Sequence, residues 1–220
     1  MQFDWYSLNM NKPEGIIFDC DGCLLDSEVV FLKTVVKYLK KYEIDTSLEE
    51  LIFVIGKPMT VIAQEIIEKF SLNISIDQFI KEERELFSAQ MNSSQLKPMP
   101  GLIDFLDRCK KEKIQLAIAS SSSYEYVDNI VTQFGIKEYF QYIISGEQVL
   151  KGKPNPDIYY LAQSKLGIPK ERLVVIEDSY NGIQAGKSAG IYTIAYKGSM
   201  IEQDTSNADC AVYSYEQIEW

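Results

Sequence analysis

A chain of 220 residues with 46% hydrophobic and 25% charged residues, 12 glycines and 7 prolines suits one large globular domain or a domain with a sizeable insertion. It contains no histidine, which excludes Ser-His-Asp and Cys-His catalysis, histidine zinc sites and an imidazole general base. The formal charge of −10 disfavours broad attraction to nucleic-acid phosphates or anionic headgroups, so neither nucleic acid nor membrane is expected as a partner.

Four cysteines, Cys20, Cys23, Cys109 and Cys210, do not make a disulfide scaffold in a chain this long, and residues 1–15 do not resemble a signal peptide. A reducing, cytoplasmic setting is therefore expected. Apolar runs such as residues 51–55 fall far short of the ~20 residues that span a bilayer. Oligomeric state leaves no trace in the sequence.

In chain order, Gly15-Ile16-Ile17-Phe18 reads as a buried strand that ends in Asp19-Cys20-Asp21-Gly22. From Ser27 to about Tyr42, Val29, Leu32, Val36 and Leu39 recur at helical spacing. Ser47 with Glu50 and Ser75 with Gln78 match the capping box, each predicting a helix start. Between them Val61, Ile62, Ile66, Ile67 and Phe70 form another apolar stripe, so residues 27 to about 94 read as helix throughout. Lys97-Pro98-Met99-Pro100-Gly101 breaks that pattern and reads as a hinge.

Beyond it the signals alternate: helix 102–111, strand 115–119, helix 124–134, strand 142–144, helix 157–166, strand 173–176, helix 181–189 and strand 192–195. That alternation predicts an α/β fold, a Rossmann-like parallel sheet flanked by helices, with strand 15–18 as its start. The helical block becomes an insertion, residues 26–97, in a core made of residues 1–25 and 98–220.

Ligands of open parallel sheets bind at the carboxyl ends of the strands. Four polar clusters fall there: Asp19 with Asp21, the serines 120–123, Lys153 in Lys151-Gly152-Lys153-Pro154, and Glu177-Asp178. Gathered carboxylates repel one another, so they share protons or hold a hard cation. Oxygen donors and no histidine favour Mg²⁺ over zinc as that cation.

Each cluster also has a plain structural reading. The first is a turn, the serines a loop or N-cap, Lys153 a solvated surface charge, and Glu177-Asp178-Ser179 the cap of the next helix. Four such coincidences in this order are less probable than one site. The Cys20-x-x-Cys23 spacing admits redox or metal chemistry, but no second pair completes a zinc site and the flanking acids discourage a thiolate, which favours packing.

The segment Phe18-Asp19-Cys20-Asp21-Gly22-Cys23-Leu24-Leu25-Asp26-Ser27 resembles the first motif of the haloacid dehalogenase superfamily, in its β-phosphoglucomutase-like phosphatase branch. Ile118-Ala119-Ser120-Ser121-Ser122 is similar to the second motif, Lys151-Gly152-Lys153-Pro154 to the third, and Val175-Ile176-Glu177-Asp178-Ser179 with Asn181-Gly182 to the fourth. The resemblance spans nearly the whole chain in family order, and the helical insert suits the branch's cap domain.

It implies that Asp19 is the nucleophile, Asp21 the general acid and base, Lys153 the residue that neutralises phosphoryl oxygens and orients Asp19, and Ser120 a donor to those oxygens. Mg²⁺ would be held by Asp19, the Asp21 carbonyl and Asp178, with Glu177 acting through water. Ser121 and Ser122, with Gly56 and Lys57 of the cap, are substrate-binding candidates. For Gly56 and Lys57 a helix C-cap glycine followed by an exposed lysine serves equally well.

The implied activity is a Mg²⁺-dependent phosphatase that acts on a small phosphorylated metabolite, a sugar or polyol phosphate, through an aspartyl-phosphate. A sugar phosphomutase is less well matched: Phe31 stands near the place of a cap histidine, and Ile55-Gly56-Lys57-Pro58-Met59 lacks the basic pair that grips a second phosphate. A non-catalytic phosphometabolite-binding protein is the third expectation.

Overall fold

A computed structural model describes residues 3–4, 12–55, 57, 59–91, 96–199, 201 and 203–219. The chain divides into two compact units, Met1–Asp26 with Lys97–Trp220, and Ser27–Leu96. Among the described residues no helix is long and apolar enough to cross a membrane.

The first unit holds a six-stranded, all-parallel sheet of β2 (Gly15–Phe18), β3 (Gln115–Ser120), β4 (Tyr142–Ser145), β5 (Leu173–Glu177), β6 (Tyr192–Tyr196) and β7 (Cys210–Val212), in the order β4-β3-β2-β5-β6-β7. A separate two-residue pairing joins β1 (Phe3–Asp4) to β8 (Ile218–Glu219). The helices α4 (Leu102–Lys111), α5 (Tyr124–Gln133), α6 (Asp157–Leu166) and α7 (Tyr180–Ser188) connect the strands. This is the expected Rossmann-like sheet.

The inner strands β2, β3 and β5 are buried on both faces almost throughout, and their alternation assigns each face a partner. Ile17, Ala117, Ala119 and Val175 pack with Tyr159 and Ala162 of α6 and Ala185 of α7. On the opposite face the Phe18 ring meets Phe105 of α4 edge-on, with centroids 6.0 Å apart, and Phe140 at 5.8 Å. Cys20, Cys23 and Cys109 are buried, free thiols, and burial pushes all three upward in pKa. The C-x-x-C spacing thus packs the core.

Strands β3, β4, β5 and β6 each run one residue beyond the expected end. Of the extra residues, Ser120, Ser145 and Glu177 are poor strand signals in a sequence but are carried by the ladder of their neighbours, and Tyr196 is carried by its pairing with Val212 of β7. Strand β7 was not expected at all: three residues, with Asp204 and Asp209 shortly before them, give periodicity nothing to register. Helix α7 starts at Tyr180, because Ser179 caps it by accepting from the Gly182 N–H at 3.1 Å.

The second unit contains α1 (Ser27–Lys40), a 3₁₀ turn over Glu49–Val54, α2 (Met59–Phe70) and α3 (Ile76–Met91), with no strand among its described residues. Tyr38 of α1 packs edge-on against Phe79 of α3 at 4.9 Å. The Ser47–Glu50 capping box forms in both directions, at 3.4 and 3.3 Å, but opens only the 3₁₀ turn, since Gly56 and Pro58 follow too soon for an α-helix to continue. In α2 the buried stripe is Ile62, Ala63 and Ile66, and Val61 is exposed. In α1 Val35 rather than Val36 joins the fully buried face.

Candidate active site

The register of three central strands builds the site. Phe18 pairs with Ile118 on one side and Ile176 on the other, so Asp19, which follows the last residue of β2, comes level with Ala119 of β3 and Glu177 of β5, one residue short of Ser120 at the end of β3. The ladder continues one step further, as the Asp19 N–H donates to the Ile176 carbonyl at 2.9 Å. Chain order reverses here, β3 and β4 extending outward on one side of β2 and β5 to β7 on the other, which makes this the switch point where open sheets bind ligands.

Lys153 is buried among these ends, its side chain only 4% exposed, so the reading of a solvated surface charge is overturned. Its three ammonium protons have three acceptors: Asp19 Oδ1 at 2.5 Å, Glu177 Oε1 at 2.6 Å and the Ala119 carbonyl at 2.9 Å. Burial opposes its charge, but the carboxylates of Asp19 and Glu177 prevail and hold it protonated. Asp19 is 7% exposed, and burial pushes its carboxyl up to about 8, with Lys153 pulling down and Glu177 and Asp21 pushing up.

Glu177 is fully buried and saturated. Its Oε1 accepts from Lys153 and from the Tyr159 hydroxyl at 3.0 Å, and its Oε2 accepts from the Asp178 N–H, the Ser179 N–H and Ser179 Oγ at 3.0, 3.1 and 3.0 Å. Five donors fill the roughly four lone-pair sites of a carboxylate. Glu177 therefore braces Lys153 and the Asp178 loop, rather than presenting a ligand of its own.

One carboxylate oxygen each of Asp19, Glu177 and Asp178 lies within 4.8 Å of the others. All three are oxygen donors, so the set fits a hard divalent cation, which Asp19 and Asp178 could hold while Glu177 is committed to its five donors. Gly22, in the left-handed conformation at φ +74°, makes room for the Asp178 carboxylate: a Cβ there would lie 1.8 Å from Asp178 Oδ2.

The Asp21 side chain turns to a different set of partners. Its Oδ2 accepts from Ser122 Oγ and its Oδ1 from the Tyr126 hydroxyl, each at 2.8 Å. Ser120 is buried and its Oγ accepts from the Ser122 N–H at 3.1 Å, which closes the turn after β3. Ser123 caps α5 by accepting from the Tyr126 N–H at 3.3 Å. The serine run is thus site and N-cap together, with Ser121 exposed.

The cap candidates gain less support. Lys57 is exposed and ion-paired with both oxygens of Glu65 at 2.8 Å, and Gly56 lies outside the described residues. Sequence reasoning missed Tyr126 and Tyr159. Their only signal was position, each in the first turn of a helix that follows a motif, in a chain with 14 tyrosines.

The model of the haloacid dehalogenase-like hydrolases matches residues 16–196 of the chain. A bifunctional riboflavin kinase/FMN phosphatase of Arabidopsis thaliana is 35% identical over 82% of the chain, which spans only 47% of that longer protein. A phosphorylated carbohydrates phosphatase of Thermotoga maritima is 31% identical over 82% of the chain and 83% of its own length. The crystal structure of CbbY from Rhodobacter sphaeroides in complex with phosphate superposes with a TM-score of 0.68 at 27% identity, covering 93% of this chain and 95% of that one.

Proposed function

The chain belongs to the haloacid dehalogenase-like hydrolases and is a phosphatase of that family, and we propose that it hydrolyses a small phosphorylated metabolite, of the sugar or polyol phosphate class, through an aspartyl-phosphate. The observation that carries this is the convergence of one buried carboxylate, Asp19, with a buried ammonium, Lys153, at the sheet's switch point. The Thermotoga relative, named for phosphorylated carbohydrates, supports the substrate class.

In the first step an Asp19 oxygen forms a bond to phosphorus as the bond from phosphorus to the ester oxygen breaks. The leaving alkoxide keeps that electron pair and takes a proton from Asp21. In the second, water gives a proton to Asp21 and its oxygen attacks phosphorus, which releases phosphate and regenerates the Asp19 carboxylate. Lys153 screens the negative charge of phosphoryl oxygens and fixes the Asp19 carboxylate plane, and Ser120 supplies a donor to the same oxygens. Mg²⁺, held by Asp19, Asp178 and the Asp21 carbonyl, would supply positive charge to offset repulsion between carboxylate and phosphate.

The helical unit would serve as a cap that selects the substrate and excludes water. A mutase needs a cationic grip on a second phosphate, and Lys57 is engaged by Glu65. The test is phosphate release from a panel of sugar, polyol and nucleotide monophosphates, with Mg²⁺ and with a chelator. Turnover is expected with Mg²⁺ only and is expected to vanish in Asp19→Asn. Turnover that survives that substitution would remove Asp19 from the nucleophile's role.

A further inference from the structure

We infer that Tyr126 is a positioning residue for phosphoryl transfer, which together with Ser122 fixes the plane of the Asp21 carboxyl so that its proton is aimed at the departing ester oxygen. The inference rests on the phosphatase reading above and names a member of that site which no sequence motif marks.

Asp21 follows the strand end in a tight turn, in which the Cys20 carbonyl accepts from Leu24 N–H at 2.8 Å and Gly22 N–H donates to the Leu25 carbonyl at 2.8 Å. The backbone of Asp21 is thereby fixed, while rotation about its side-chain bonds is not. Two hydroxyls remove that freedom, Ser122 on one carboxylate oxygen and Tyr126 on the other, each at 2.8 Å. Each oxygen of a carboxylate has two acceptor sites, so one donor apiece leaves each oxygen a site for the proton in transit.

Both hydroxyls are themselves held. Ser122 sits in the turn closed by Ser120 Oγ, and Tyr126 lies in the first turn of α5 with its N–H on the Ser123 cap. Burial, reinforced by the Asp21 charge, pushes the Tyr126 phenol well above its ordinary range, so it stays a donor at any working pH. A proton donor that swings freely loses the benefit of proximity, and removing one of its two anchors restores part of that freedom.

The experiment measures kcat/KM, which reports every step through departure of the leaving group, for an alkyl phosphate and for p-nitrophenyl phosphate. An alkoxide needs the Asp21 proton, whereas nitrophenolate leaves almost unaided. A positioned acid is worth roughly 10²–10⁴-fold, so loss of one anchor in Tyr126→Phe is expected to cost about tenfold on the alkyl ester and less than about twofold on the aryl ester. Ser122→Ala, which removes the other anchor, is expected to show the same asymmetry.

In an Asp21→Ala background Tyr126→Phe should cost nothing further on the aryl ester, because its action passes through Asp21. Equal losses on both esters, no loss on either, or a further loss without Asp21 would overturn the inference while leaving the phosphatase reading intact. A native chain that hydrolyses neither these esters nor any member of the sugar, polyol and nucleotide monophosphate panel overturns both.

Discussion

Gly22 has no side chain where any side chain would collide with Asp178. An ideal Cβ would lie 1.8 Å from Oδ2 and 2.2 Å from Cγ, and the residue sits at φ +74°, so Gly22→Ala combines backbone strain with displacement of a carboxylate. The substitution is expected to cost about 1–2 kcal/mol in urea unfolding and to raise the Mg²⁺ concentration for half-maximal activity about tenfold. A variant with the native Mg²⁺ response would show that Asp178 does not help hold the ion. Gly182 does the same for Glu177, since a Cβ there would lie 1.6 Å from Oε1. At this scale the sequence was informative wherever a residue followed a strand end: Asp19, Ser120, Glu177 and Asp178 could be placed from apolar runs alone. It was silent on which oxygens each carboxylate had left, because saturation of Glu177 depends on Tyr159 and Lys153, brought in by a separate loop and helix.

Within α3, Glu83 shows what periodicity cannot find. A glutamate in a helix otherwise rich in charge reads as solvated, yet Glu83 is 2% exposed and its Oε1 has no hydrogen-bond partner. Burial pushes its carboxyl from 4.5 up to about 7, with Arg84 pulling modestly the other way. The sign follows from proton counting: between pH 4.5 and about 7 the folded chain holds a proton that the unfolded chain has lost, so stability falls as pH rises through that window. Below it both states are protonated and there is no penalty, and above it the full penalty applies, about 2 kcal/mol after allowing for solvent screening. Glu83→Gln is expected to be more stable than the native chain at pH 8 and equal or slightly less stable at pH 4.5, by urea unfolding at both. A difference that does not change with pH would mean that Glu83 is charged throughout. The helix itself was readable from its capping serine, Ser75, which accepts from the Gln78 N–H at 3.2 Å.

For the molecule as a whole, the helical unit is spliced into a sheet that does not need it for continuity. Leu24, just before the insert, accepts from the Met99 N–H just after it at 2.8 Å, so the sheet unit fastens the two ends of the insertion to each other. The loop that carries the insert is the one that bears Asp19 and Asp21, whereas Lys153, Glu177 and Asp178 are all supplied from beyond it. Replacing residues 27–96 by a short glycine-serine link is therefore expected to leave a chain that unfolds in one cooperative transition by circular dichroism. It should still hydrolyse p-nitrophenyl phosphate at a detectable rate, because the groups that handle phosphorus remain. Its kcat/KM values for a sugar phosphate and for p-nitrophenyl phosphate should converge if, as proposed, the helices supply binding energy from parts of the substrate remote from phosphorus. If the shortened chain folds and keeps the native preference, specificity resides in the loops of the sheet unit; if it does not fold, the sheet unit is not stable without residues 27–96.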